Sequence, residues 1–246
     1  HTACDTLHQT NFDPGGFSEY LRIPQINVDR GVFPIPGHVS YEEASITEPL
    51  ACVYRGQKRA NLQPGQNVLV LGSGLAGLLH INLARALGAG RIIATDMVDY
   101  RLQAARRLGA DTAFSATEDV PSRLREANDG RLAELVIVCT GALPALNQAL
   151  RSVERGGTVL FFAPTEPGVS LPVEINDVFF RNDVTLTTTY AGAPADLATA
   201  LEMIGSGRVQ VGDMISHRLG LAEAGLGFRL TAEAGDSLKV IIQPQR

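Results

Sequence analysis

Between Leu71 and Gly77 the chain reads Leu71-Gly72-Ser73-Gly74-Leu75-Ala76-Gly77, with glycines spaced G-x-G-x-x-G. Glycines at that spacing can cradle phosphates. Gly72 permits a tight turn, Gly74 has no Cβ and lets a pyrophosphate approach the backbone, and Gly77 lets a helix pack closely on the preceding strand. The N–H groups that open that helix, on Leu75 and Ala76, add a partial positive charge. Asp96 stands 22 residues after Gly74. A carboxylate there can accept both ribose hydroxyls of an adenosine and repels a 2′-phosphate, which favours NAD over NADP. The same residues also fit a plain strand–helix turn followed by an aspartate that caps the helix near Asp99. An S-adenosylmethionine site is a third reading, although its first glycine turn is usually less helix-capping. Arg101, one turn into the next helix, either covers the adenine, favours a 2′-phosphate or stands solvated on a helix face. Thr140-Gly141 either lines the ligand crevice where the strand order reverses or is an ordinary strand-ending turn.

These residues need a sheet to hold them, and the pattern from Asn67 onward supplies one. Short apolar runs at Val68–Leu71, Arg91–Thr95, Leu135–Cys139, Val159–Phe162 and Val184–Thr188, with a weaker one at Thr112–Phe114, read as six strands. Helical stretches at Leu75–Leu87, Asp99–Leu108, Val120–Ala127 and Leu143–Val153 follow the first four. Strands that are apolar on both faces belong to a covered parallel sheet, and right-handed crossovers make it doubly wound. The expected fold class is therefore α/β, a doubly wound parallel six-stranded sheet with part of a second domain. The first 36 residues read as loop and strand, with a strand over Phe17–Ile23 that Pro24 stops. Ser40 and Glu43 make a capping box, so a helix starts at Tyr41, and a second runs from near Pro49 to about Ala60. After Tyr190 the alternation ends. A helix at Ala195–Gly205, a strand near Met214–Arg218, a helix at Leu221–Ala232 and a strand at Leu238–Gln243 belong with the first 50 residues in a discontinuous second domain.

Composition bounds the partners. Of the 246 residues 45% are hydrophobic, enough for a core, and only 19% are charged. The net charge is −5 with no basic stripe, which argues against nucleic acid. No apolar run nears the roughly 18 residues of a membrane span, so no membrane partner is expected. No signal peptide is visible. Cys4, Cys52 and Cys139 are odd in number and far apart, which fits a reducing, cytoplasmic setting.

With the motifs placed, the chain resembles the zinc-containing medium-chain dehydrogenases, and within them the sorbitol, threonine and related polyol enzymes. The segments that carry the resemblance are Gly15-Gly16-Phe17-Ser18-Glu19-Tyr20, Ile46-Thr47-Glu48-Pro49-Leu50-Ala51, Val68–Gly77, Leu108-Gly109-Ala110-Asp111, Cys139-Thr140-Gly141 and Ser216-His217-Arg218. They run along the whole chain, and the Glu-Pro-Leu-Ala element is more specific than the glycine turn.

The resemblance implies a Rossmann NAD-binding domain over residues 51–188, inserted into a partial GroES-like catalytic domain made of residues 1–50 and 189–246. It implies NAD as cofactor and, in the intact protein, zinc. Glu48 would ligate the catalytic zinc or its water, although a glutamate before a proline also caps helices. Cys4 would be the last of four structural-zinc cysteines, or else a small apolar residue. The remaining ligands would lie in roughly 100 residues upstream of His1, judging from usual domain size, and one carboxylate alone does not make a zinc site. His1, Cys4 and His8 lack a pattern that would make them a metal cluster by themselves. Lys239 matches a basic residue that reaches the cofactor pyrophosphate, and Tyr190 a position beside the nicotinamide. His217 is expected to be structural.

The expected reaction is hydride transfer between NAD and a secondary alcohol or polyol, with an alcohol or ketone as the small-molecule partner. The alternatives are a zinc-free medium-chain NAD(P)H reductase and a non-catalytic dinucleotide-binding fragment. Val169–Val173 reads as strand-like, and in the family this region pairs across a two-fold axis. A homodimer or homotetramer is therefore expected.

Overall fold

Runs such as Val68–Leu71 and Ile92–Asp96 are buried at every position, which only a sheet covered on both faces allows. The structure, a computed structural model, describes residues 15–246. Its chain divides into two compact units: Cys52–Tyr190, and one joining the residues up to Ala51 with Ala191–Arg246.

The unit Cys52–Tyr190 is α/β. Its strands are β1 (Val68–Leu71), β2 (Ile92–Asp96), β3 (Thr112–Ser115), β4 (Ala133–Val138), β5 (Val153–Phe161) and β6 (Thr185–Thr188). They form one six-stranded parallel sheet in the order β3-β2-β1-β4-β5-β6. The order reverses between β1 and β4, where Val68 faces Ile92 on one side and Leu135 on the other. This is the doubly wound sheet that the alternation of runs and helices predicts. On one face Leu69, Leu71, Val136 and Val138 pack with Val120, Leu124, Leu146 and Ala149 in a single core cluster. Those last four stand on the helices Val120–Ala127 and Leu143–Ser152, whose apolar stripes must be buried.

In the other unit, the box at Ser40 forms as its residue types require. Ser40 Oγ accepts the Glu43 N–H at 3.2 Å, and the Glu43 carboxylate accepts the Ser40 N–H at 2.9 Å. These bonds to Ser40 hold the Glu43 carboxyl below its ordinary range. The helices α1 (Gln25–Gly31), α2 (Tyr41–Ala44) and α3 (Thr47–Arg59) come first in the chain, and α3 continues into the α/β unit. Two strands, β7 (Ile215–Gly220) and β8 (Lys239–Gln243), pair in parallel. Between them lie a 3₁₀ turn, Leu221–Glu223, and a helix, Ala224–Glu233. The described residues of this unit form no closed barrel.

One local expectation is corrected. Phe17–Ile23 forms no strand, and the chain instead turns into α1, whose first bonds run from the Asn27 and Val28 N–H groups to the Pro24 carbonyl. A strand needs a neighbour to pair with, and among the described residues this one has none; the segment runs through bends and irregular backbone until the helix begins at Gln25. Within the single chain residues 169–173 have irregular backbone. Among the described residues no helix is long and apolar enough to cross a membrane.

Candidate functional site

The C-terminal ends of β1, β2 and β4 meet at the reversal point, and the glycine turn fills the space between them. Gly72 has φ +93°, a backbone state that strains any residue with a Cβ. Its N–H donates to the Thr95 carbonyl at 3.0 Å, while the Cys139 N–H donates to the Leu71 carbonyl at 2.8 Å. The turn is thus bonded to β2, and the end of β4 to β1. A Cβ added to Gly72 would stand 3.3 Å from the Cys139 carbonyl and 3.4 Å from Thr140 Cβ. At Gly77 the fit is tighter still, because an added Cβ would lie 1.9 Å from the Gly72 carbonyl oxygen. Gly74 is different. Its nearest neighbour would be Arg101 Nη1 at 3.8 Å, so the space above its backbone is open.

Helix α4 (Leu75–Ala86) begins there, with Gly74 in an extended conformation as its N-cap and no side chain closing the end. The first intrahelical bond is Leu78 N–H to the Gly74 carbonyl at 2.9 Å. The amides of Leu75 and Ala76 therefore stand ahead of the helical ladder, at the positive end of the dipole.

Asp96 is locked to this turn. One carboxylate oxygen accepts the Ser73 N–H at 2.7 Å, and the other accepts the Val98 N–H at 3.0 Å. Ser73 Oγ also donates to the Thr95 carbonyl at 3.1 Å. Asp96 is only 7% exposed, so its charge is fixed in place rather than dispersed in water. The pattern of glycines and acid reveals none of this cross-bonding, and Ser73 was not singled out.

Arg101 lies in α5 (Asp99–Arg107), with its guanidinium beside Gly74. Its Nε is buried with no hydrogen-bond partner among the described residues. Thr140 and Gly141 follow β4, and Thr140 Oγ1 accepts the Ala142 N–H at 3.3 Å. A Cβ on Gly141 would stand 2.4 Å from the Pro164 carbonyl oxygen, so the segment after β5 lies directly against it. Burial pushes the Cys139 thiol well above its ordinary range, which favours its protonated form. Tyr190, half exposed, follows β6 at the same edge. It lies three strands beyond β1, about 14 Å away at the usual strand spacing.

Glu48 and Lys239 stand in the other unit, Glu48 exposed in the first turn of α3 and Lys239 half-buried as the first residue of β8. His217 Nδ1 lies 2.9 Å from Ser216 Oγ. Cys4, like His1 and His8, lies outside the described residues. Among the described residues no group of three or more His, Cys, Asp or Glu could hold a metal ion. A single exposed carboxylate does not fit zinc, which needs three or four ligands of its own. The dinucleotide fits better. The open space over Gly74, the helix start and the partnerless Arg101 Nε lie together beside a fixed carboxylate.

The sequence reading also missed a buried polar pair behind the turn. His80 of α4 is fully buried and meets Gln57 of α3. Burial pushes its imidazole down to about 3. The unfolded chain takes up this proton below about pH 6.5 and the folded chain does not, so stability falls as the pH drops below that value. We expect wild type to lose about 2 kcal/mol more than a His80→Phe variant between pH 7.5 and pH 5. Urea unfolding at the two pH values checks this, and equal losses would refute it.

Comparison with known proteins gives a consistent picture. The family model described as "Zinc-binding dehydrogenase" matches residues 76–206. The chain is 31% identical over 240 residues to an uncharacterized zinc-type alcohol dehydrogenase-like protein, YdjL, of Escherichia coli K12, covering 93% of this chain and 65% of that protein. It is 27% identical over 214 residues to sorbitol dehydrogenase of Gallus gallus, covering 86% of this chain and 59% of the relative. A putative zinc-binding dehydrogenase from Sinorhizobium meliloti, solved bound to NADP, superposes with a TM-score of 0.79 at 25% identity, over 86% of this chain and 62% of that one. The chain thus spans about three fifths of the length of the proteins it matches.

Proposed function

Because the chain belongs to the zinc-binding dehydrogenase family, we propose that it holds NAD at the reversal point and that the protein transfers a hydride between NAD and a secondary alcohol or polyol. One observation carries the reading: the Ser73 amide and Asp96 carboxylate are joined at 2.7 Å, which fixes an acid beside an open glycine turn. Asp96 accepts the adenosine ribose hydroxyls. Gly74 and the amides of Leu75 and Ala76 hold the pyrophosphate, and Arg101 covers the adenosine end. The second half of the dinucleotide then extends over β4, past Thr140 and Gly141, toward Tyr190. NAD, when bound, supplies the nicotinamide carbon that accepts or returns the hydride.

Glu48 is assigned to the catalytic zinc of the intact protein, Cys4 to a structural zinc and Lys239 to the pyrophosphate, on the resemblance alone. Residues 51–188 are read as the NAD-binding domain, and residues 1–50 with 189–246 as a partial GroES-like catalytic domain. The protein works in the cytoplasm as a homodimer or homotetramer. The exposed Ile175 and Phe180 support an assembly.

The test is a fluorescence titration with NADH and NADPH. The fixed carboxylate should make NADH bind at least about tenfold more tightly, because a 2′-phosphate would face a like charge. Equal or tighter NADPH binding, or no binding of either, overturns the reading.

A further inference from the structure

Behind the glycine turn, Gln57 Nε2 lies 3.1 Å from His80 Nδ1 and 2.8 Å from the His80 carbonyl oxygen. A carbonyl oxygen only accepts, so the Gln57 atom facing it must be the NH₂ group. That NH₂ group then donates to Nδ1 as well. The neutral imidazole carries its one proton on Nε2, and the tautomer is fixed without a charge. Nε2 is buried and has no oxygen or nitrogen partner among the described residues. What lies against the ring is Phe162, edge to face, with centroids 4.6 Å apart and planes at 88°.

Phe162 is the first residue after β5. Its N–H donates to the Val138 carbonyl at 3.0 Å, as does that of Ala163 at 3.1 Å. Two residues on, the Pro164 carbonyl abuts Gly141. The segment Phe162–Pro164 therefore continues the edge that Thr140 and Gly141 begin. On the side of α3, Gly56 leaves room for the Phe162 ring, since a Cβ there would approach it to 3.4 Å.

We propose that Gln57 and His80 are positioning residues for the nicotinamide half of the site: a neutral buried pair that seats Phe162 and so holds Phe162–Pro164 against Thr140–Gly141. The proposal rests on the dinucleotide reading above. It separates the two halves of the ligand. The adenosine half depends on Asp96 and the glycine turn, and the nicotinamide half depends on the seat.

ADP-ribose, which lacks only the nicotinamide, makes the separation measurable. For His80→Leu, which removes the ring that meets Phe162, calorimetry should show NAD⁺ affinity reduced about three- to tenfold, the worth of one aromatic contact, with ADP-ribose affinity within about twofold of wild type. A parallel loss for both ligands, or no loss for NAD⁺, would reduce the pair to ordinary core packing and overturn the proposal. If His80→Leu does not fold, Phe162→Leu keeps the Gln57–His80 bond and is expected to show the same selective loss. Unchanged NAD⁺ affinity in that variant also overturns it. Wild type that binds neither ligand would instead mean that the dinucleotide reading itself had failed.

Discussion

Gly77→Ala should abolish dinucleotide binding and destabilise the chain by about 3 kcal/mol or more. The added methyl carbon would stand 1.9 Å from the Gly72 carbonyl oxygen and 2.9 Å from its carbon. Both are backbone atoms, so no side chain can rotate away. Either α4 lifts from β1, or the turn that Gly72 makes at φ +93° must open. Opening it breaks the bond from the Gly72 N–H to the Thr95 carbonyl and moves the Ser73 N–H away from Asp96. The effect is thus structural and functional at once. Urea unfolding measures the first part and NADH titration the second. A variant that unfolds like wild type and binds NADH normally would show that the helix tolerates separation from the strand. Gly74→Ala is a useful contrast, since an added Cβ there meets nothing closer than the flexible Arg101 guanidinium at 3.8 Å. That substitution should leave stability nearly unchanged and weaken only binding.

Asp96→Asn should remove the preference for NADH and lower stability by about 1.5–3 kcal/mol, the worth of a hydrogen bond to a charged group. The carboxylate accepts from both Ser73 and Val98. Asparagine offers one oxygen and one NH₂ group, so one of those backbone donors would then face another donor. NADH affinity is expected to fall at least about tenfold. NADPH affinity should hold or rise, because the like charge facing its 2′-phosphate is gone while Arg101 remains. Parallel titrations of both nucleotides check this. Unchanged discrimination would mean that Asp96 is only a brace for the turn and does not read the ribose.

Much of this site was legible in the sequence because its signals are local. Buried strands are short apolar runs, and a helix start is a glycine or a capping box. The reach from Gly74 to Asp96 follows from the length of one helix and one strand. The misses share a different cause. Phe17–Ile23 carries a strand-like pattern, but a strand exists only where another strand pairs with it. His80 sits between Leu79 and Ile81 on a buried helix face. Nothing near it in sequence names Gln57 or Phe162 as its partners.

By itself the sequence determined that residues from Asn67 to Thr188 alternate as strand and helix, and that three glycines and an acid stand at the spacing of a strand–turn–helix–strand motif. These are properties of periodicity, backbone freedom and spacing along the chain. Only the tertiary structure decided that the Ser73 amide grips Asp96, that Gly72 and Gly77 are in contact, and that a neutral histidine backs the segment after β5. Each depends on atoms from different elements reaching bonding distance, which close packing of the sheet and its helices sets and no local pattern encodes.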